Sequence, residues 1–268
     1  MFSKKVRKYW EVFWINLRTE HVYLINMLAR VTFIGFRIWI LAQLYEASFK
    51  SQYLSEVEGF TVSTVVWMVA LTQSFGILTS PDMAKLISEE VKRGDVTYSL
   101  LRPGSYILLQ YFTFWGRSLM PLFWSICTGA LAAWLLVGTA PISFESFCAG
   151  ALLLFLGGTL HAIIQLILGL LAFWLEEVSA FRWIYQKLYI ALGGMILPPA
   201  IFPDWMRTVV ERLPFAQLFY SASEITVRFS SEKFLQFISI QLFWLCCTSL
   251  VLVCMFRSSV KRISLNGG

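Results

Sequence analysis

The residues with chemistry to offer are mostly cations set inside apolar runs. Asn26, Arg30 and Arg37 stand at i, i+4 and i+11, nearly one line along a helix, and Arg117 lies in a separate apolar block. A charge at membrane depth is costly unless it meets a partner or water, so these residues are either functional or anchored. As a functional set they form a polar stripe facing a translocation path or a subunit interface. As an anchored set, Arg30 snorkels to the inner surface while Arg37 and Arg117 pair with a carboxylate such as Glu46. Catalysis has far less to work with. The sequence contains no G-x-x-x-x-G-K-[ST] phosphate loop and no H-E-x-x-H motif, and His21 and His161 lie far apart. Both histidines read as structural or interfacial residues, and Gly157-Gly158 reads as close packing. Neither a metal nor any other cofactor is expected on this chain.

Hydropathy sets the elements that carry these residues. The 268-residue chain is 57% hydrophobic and 14% charged, with a mean hydropathy of +0.66. Soluble domains carry about 25% charge, so lipid is the expected solvent. Roughly 20 apolar residues cross a bilayer core, and such blocks recur at 22–47, 60–79, 106–137, 147–175, 178–197 and 234–256. The expected fold is an all-α integral membrane protein of six transmembrane helices, a single domain over 1–268. Lys4, Lys5, Arg7 and Lys8 precede Trp10, Phe13, Trp14 and Leu17 at helical spacing. That pattern predicts an interfacial amphipathic helix over 1–20 rather than a cleavable signal peptide. The five cysteines, Cys127, Cys148, Cys246, Cys247 and Cys254, fall inside apolar spans and read as small unpaired packing residues.

The net charge of +6 does not point to nucleic acid, because its distribution is topological. Lys4, Lys5, Arg7, Lys8, Arg18, Lys85, Lys92, Arg93, Arg102, Arg182, Lys187, Arg257, Lys261 and Arg262 fall on one side of the six spans. The other side has Lys50, Arg207, Arg212, Arg228 and Lys233, balanced by Glu56, Glu58, Asp204, Glu211 and Glu232. The richer side is read as the cytoplasm, with both termini on it.

Two polar segments interrupt the spans. In the inner loop 80–105, Ser80 can cap a helix, Pro81 suits its first position and Asp82 its positive end. Lys92 and Arg93 fit the last turn, and Gly94 fits the left-handed residue that ends it. Met83, Leu86 and Ile87 form an apolar stripe that holds this helix to the inner face, which leaves Glu89, Glu90, Lys92, Arg93 and Asp95 toward solvent. The outer segment 198–231 is too apolar for a solvated loop and too broken by Pro203 and Pro214 for a span. Met206, Val209, Val210 and Leu213 share one helical face, and Arg207 and Glu211 can pair on another. Two short helices dipping into the outer leaflet fit this pattern. Gly150, Gly157, Gly158 and Gly169 in the fourth span should let neighbouring helices approach closely.

The stretch from Ser88 to Pro103, with Glu89-Glu90, Gly94-Asp95, Leu100-Leu101 and Pro103, resembles the acidic–Gly–Leu-Leu–Pro signature of ABC-2 type transporter permeases. Glu58-Gly59-Phe60-Thr61 followed by Trp67, the segment from Leu197 to Trp205 continuing through Leu213-Pro214-Phe215, and the terminal Gly267-Gly268 are similar to the subfamily once described as a domain of unknown function. The resemblance implies the membrane permease subunit of an ATP-binding cassette exporter, without catalysis of its own, in the plasma membrane. Its inner loop would carry a coupling helix for a separate nucleotide-binding ATPase subunit, which holds the ATP and Mg. A second permease copy or paralogue would complete the path, a heterodimer being at least as fitting as a homodimer. The outer helices, with Pro198, Pro199, Pro203, Trp205, Val209, Val210 and Pro214, would close it as a gate, and membrane lipid is the remaining partner. Competing classes are an ion-coupled secondary transporter or channel, which should bury acidic residues mid-span where only arginines are evident here, and a membrane enzyme or assembly subunit.

The charge asymmetry generates a direct test. In a background lacking the native cysteines, thiols placed at Lys92 and Ser264 should stay unlabelled by an impermeant reagent in intact cells, whereas one at Glu56 should label. Labelling at position 92 would reverse the topology.

Overall fold

In the computed structural model, the described residues are 2–22, 24–51, 61–101, 103–140 and 142–266, with side chains described except at 2–6, 20–22, 24–28, 30–31, 49–51 and 262–266. The Glu58 motif, Arg102 and the terminal glycines lie outside the described residues, as do the side chains of Asn26 and Arg30. Among the described residues the secondary structure is helical throughout. The elements are α1 (Phe2–Val22), α2 (Leu24–Ser51), α3 (Val62–Phe75), α4 (Met83–Lys92), α5 (Val96–Leu101), α6 (Tyr106–Val137), α7 (Phe144–Leu170), α8 (Ser179–Leu192), α9 (Asp204–Arg212), α10 (Tyr220–Val227) and α11 (Ser231–Asn266). Four stretches of the described residues are long and apolar enough to cross a membrane: Val62–Lys92, Tyr106–Val137, Phe144–Phe173 and Ser231–Lys261. Of the other two expected spans, α2 has 28 residues and α8 only 14. At about 1.5 Å rise per residue α8 covers roughly 20 Å, short of a hydrocarbon core of about 30 Å.

The centre is built on α3 and α7. From Val65 to Phe75 every residue of α3 is buried, as expected of a helix apolar all round, and α2, α6 and α10 enclose it. Thr72 hydrogen-bonds Ser223 at 2.7 Å, and Ser74 lies against Gly129 of α6. α7 takes neighbours on several sides through its glycines, as their density predicts. Gly150 faces Thr226 of α10, Gly157 the Leu218 carbonyl, Gly158 the Trp115 ring of α6 and Gly169 Ile87 of α4. Gly157 lies about halfway along the 27 residues of α7. The chain between α8 and α11 therefore reaches deep into the bundle before α10 carries it back toward Gly150.

Several expectations change in detail. α1 does not lie free on the surface. Lys8 donates to the Pro103 carbonyl, the Ser105 amide donates to Tyr9 at 2.7 Å, and Arg117 donates to Asn16 at 3.1 Å, so α1 lies along the first turns of α6. α8 ends at Leu192 rather than at Leu197-Pro198-Pro199, because Gly193 caps it and Gly194 turns the chain with φ +75°. The cysteines are all free, but Cys127, Cys148, Cys246 and Cys254 are exposed on helix surfaces rather than packed inside.

A Cβ added at Gly157 would sit 2.3 Å from the Leu218 carbonyl oxygen and 2.7 Å from that of Gln217, both backbone. Gly157→Ala should therefore lower the thermal midpoint of the solubilised protein by the equivalent of about 1–3 kcal/mol. That sign opposes the helix-propensity gain of about 1 kcal/mol that alanine normally brings. Gly35→Ala, with Thr128 Cγ2 at an ordinary 3.5 Å, serves as the tolerated control.

Candidate functional site: a polar trough between α2 and α8

α8 stands off from the bundle, and side chains rather than helix contact hold it. Val178, Arg182, Tyr185 and Tyr189 recur at i, i+4, i+7 and i+11 and turn toward the protein. Phe181 is exposed, and Trp183 and Ile184, also exposed, stand at the rim of the space beside α8. Arg182 makes a two-pronged ion pair with Asp82, one prong being Nε to Oδ1 at 3.2 Å. Tyr185 places its hydroxyl 2.8 Å from Nδ1 of His161 and stacks on that ring at 5.7 Å. His161 is fully buried among Phe114, Tyr189 and Phe219, so it supports the wall of the site and is hidden from it.

Between α8 and the α2–α3 wall runs a trough of two joined cavities. The larger, about 730 Å³, is lined by Thr79, Asp82, Gln165, Arg182, Tyr185 and Tyr189 among others. The smaller, about 220 Å³, is lined by Arg37, Gln73, Ile34, Ile77, Ile190 and Met195, and shares Thr79, Gln186 and Tyr189 with the first. One end of the trough is pinned at Met195 and Ile196. Gln73 donates to the Met195 carbonyl and Tyr45 of α2 donates to that of Ile196. The half-buried Arg37 side chain thus opens into the trough, and among the described residues it has neither a hydrogen-bond partner nor an ion pair. Glu46 is not its partner. Arg117 is placed elsewhere, hydrogen-bonded to Asn16 of α1 at the α1–α6 joint. Hydropathy and charge spacing found Arg37. They missed Asp82, Arg182 and the two tyrosines, although the 178/182/185/189 spacing is a readable stripe.

At the basic end, α4 and α5 form a braced unit next to the trough. The cap of α4 is Asp82, which accepts from the Lys85 amide at 2.9 Å, and the helix begins at Met83; Ser80 and Pro81 precede the cap. Met83, Ala84, Ile87 and Ser88 are the buried face, packed on α7, where the Ala84 amide donates to Gln165 at 3.1 Å. Leu86 is exposed, because the buried stripe runs through Ala84 and Ser88 instead. Gly94 adopts φ +78° and ends the helix as its position suggests. Glu90 does not face outward. It accepts from Ser99, from Tyr106 at 2.7 Å and from Gln110 at 3.5 Å, tying α4 to α5 and α6. Glu89 and Arg93 reach only local partners, Lys85 at 3.8 Å and Asp95 at 3.2 Å, and stay solvated. Lys92 binds Glu177 at 2.9 Å; with the Ser179 amide it holds that exposed carboxyl at about 2, far below the usual range.

At the far end, α9 turns Val210 inward at 3% exposure and leaves Val209 and Trp205 outward at 55% and 74%. The expected Met206–Val209–Val210–Leu213 face is therefore split. Glu211 is buried rather than paired with Arg207, which binds Asp204 and the Ala200 carbonyl. Pro199 starts a short 3-10 turn, Pro203 precedes α9, Pro198 is buried, and Pro214 begins the turn that leads to Leu218. Glu224 of α10 is 1% exposed and paired with Lys233 of α11. Two acidic residues are thus buried where the sequence suggested only arginines.

Asp82 serves two structures at once, so its variants separate them. Asp82→Asn keeps a capping oxygen and loses the ion pair; Asp82→Ala loses both. Alanine should cost about 1 kcal/mol more than asparagine in thermal stability, and both should raise the labelling rate of a cysteine placed at Ser179. Equal stability of the two variants would remove Asp82 from the cap.

The comparisons with known proteins come to one family. A search of curated proteins finds no match to the chain. The model of a family described as "ABC-2 family transporter protein" matches residues 38–267, which include α3 to α11 entire. With a helical bundle of membrane-spanning length and a family match over most of its residues, this chain belongs to the ABC-2 family of transporter membrane proteins.

Proposed function

We propose that the chain is the permease subunit of an ATP-binding cassette exporter, crossing the plasma membrane six times with both termini in the cytoplasm. It forms the translocation path with a second permease, and separate subunits that carry ATP and Mg drive it. The observation that supports this best is the α4–α5 unit. It is capped, cross-braced through Glu90, and joined by Lys92–Glu177 and Asp82–Arg182 to the start of α8. Its outer surface carries Tyr98 at 71% exposure and Leu101 at 77%, on the helix that follows the solvated Arg93 in the chain. An aromatic and an aliphatic side chain left in the open beside charge suit a protein interface, where such residues act as anchors. Arg102 of the same loop lies outside the described residues. In this reading the 198–231 segment is the outer reentrant gate, and Trp205 and Val209 of α9 face the second permease.

The ion-coupled alternative gains from the buried Glu224, since intramembrane carboxylates mark ion paths. Lys233 neutralises that carboxylate, which favours a structural pair over a carrier.

Tyr98→Ala combined with Leu101→Ala should weaken ATPase co-purification at least about tenfold and abolish transport, while insertion and thermal stability hold because neither side chain is buried. Glu90→Lys should fail differently, by destabilising the permease itself. An undiminished ATPase signal with normal transport in the double variant would sink the coupling role.

A further inference from the structure

We infer that the trough between α2 and α8 receives an amphipathic monoanion, a phosphate or carboxylate headgroup on an apolar body, with Arg37 as the headgroup contact. This rests on the permease reading and adds the class of substrate. The trough carries a charge that nothing in it cancels. Its ionised lining residues are Arg37, Asp82 and Arg182. Asp82 and Arg182 cancel in their two-pronged pair, and the Asp82 carboxylate is occupied further as the α4 cap. One positive charge remains, on a half-buried guanidinium without a partner among the described residues. Such a group is stable at membrane depth only when water or an anion completes it. Its planar fork matches the paired oxygens of a carboxylate or phosphate.

The surroundings of Arg37 select the rest of the molecule. Phe33, Ile34, Ile77, Ile190 and Met195 line the same cavity, so the headgroup site has an apolar side opposite the polar one made by the guanidinium with Gln73, Thr79, Ser80, Gln186 and Tyr189. The polar residues suit the headgroup, and an apolar tail gains from the apolar side, which a small hydrophilic anion would leave unused. The flanks agree. On α2, Phe33, Phe36 and Trp39 are exposed, and on α8 so are Trp183 and Ile184 of the trough rim. A molecule arriving from the bilayer therefore meets apolar surface first and the charge second. A cationic or neutral amphiphile would leave Arg37 uncompensated.

The competing occupant is a carboxylate of the second permease, with Arg37 at a subunit interface; the test separates the two. The permease complex, extracted from membranes and placed in nanodiscs of neutral lipid, is titrated without ATP with 9,10-dibromostearate, whose bromines quench tryptophan. Trp183→Phe identifies the part of the signal that comes from the trough. Arg37→Gln should weaken dibromostearate binding about tenfold or more, and Arg37→Lys should retain most of it. The trimethylammonium analogue should bind weakly and equally to wild type and variant. A brominated phosphatidic acid run in parallel distinguishes a membrane lipid from a free amphiphile, and saturable Arg37-dependent binding of either supports the inference. Equal affinity of wild type and Arg37→Gln for both anions overturns it. So does a variant that dissociates the permease pair with its anion affinity intact, which would assign Arg37 to the interface. Because binding is read without nucleotide, loss of the ATPase partner would sink the permease reading alone.

Discussion

The close approach of other chain segments to α7 is the constraint on which the rest depends. Helices in lipid gain little from the hydrophobic effect against one another and associate through packing and hydrogen bonds instead. Here Gly150, Gly157, Gly158 and Gly169 remove side chains where α10, the Leu218 turn, α6 and α4 come nearest. With ordinary residues at these places the segment between α8 and α11 could not reach the middle of the bundle. Its backbone would then lose the partners that non-helical chain needs at membrane depth. Gln241 shows how those partners are supplied: from α11 it donates to the Leu153 and Gln217 carbonyls at 3.1 and 2.8 Å. Trp244 does the same for Arg212 at 2.9 Å.

Several charges inside this frame are handled by local neutralisation. Glu224 has Lys233, Asp82 has Arg182, and Glu90 is wrapped by hydroxyl and amide donors from α5 and α6. Each pairing joins two elements, so each charge also fixes a relative position. Arg37 alone among the trough residues is left without such a role, and it faces space instead of protein. Within the trough the fold pairs Asp82 with Arg182 and leaves the Arg37 cation open, a position suited to something outside the chain.

How much was legible in the sequence depended on the distance between partners. The bounds of α6, the left-handed Gly94 and the crowding of α7 by its glycines are local or compositional, and all can be read from residue types. The cap of α4 could not. Ser80, Pro81 and Asp82 all suit a helix start, and Asp82 takes the position in a structure where Arg182, 100 residues away, pairs with the same carboxylate. Arg117 likewise looked like Arg37 until α1 supplied Asn16 from 101 residues away. Leu86 was misassigned because a stripe of large residues is easier to see than one of Ala84 and Ser88, which face a helix too close for leucine. Glu211 and Glu224 sit in a segment whose depth follows from packing on α7, and depth has no local signature.

The position of Asp82 gives the proposed machine a short mechanical route. A partner that pushes on α4–α5 moves a rigid unit, because Glu90 and the Gly94 turn tie the two helices together and Met83 and Ile87 seat α4 on α7. The α4 cap and the α8 wall share a single carboxylate, and Lys92 adds a second tie to Glu177 just before α8 begins. α8 itself has little else holding it beyond the stacked Tyr185–His161 contact and the Tyr189 face. Displacing α4 by even an ångström must therefore either break the Asp82–Arg182 pair or carry α8 along. Following is the cheaper course, since breaking would leave a partly buried carboxylate and guanidinium unpaired. A wall that moves against α2 changes the width of the trough in which Arg37 sits, so the same ion pair that shapes the site also couples it to the basic end of the protein.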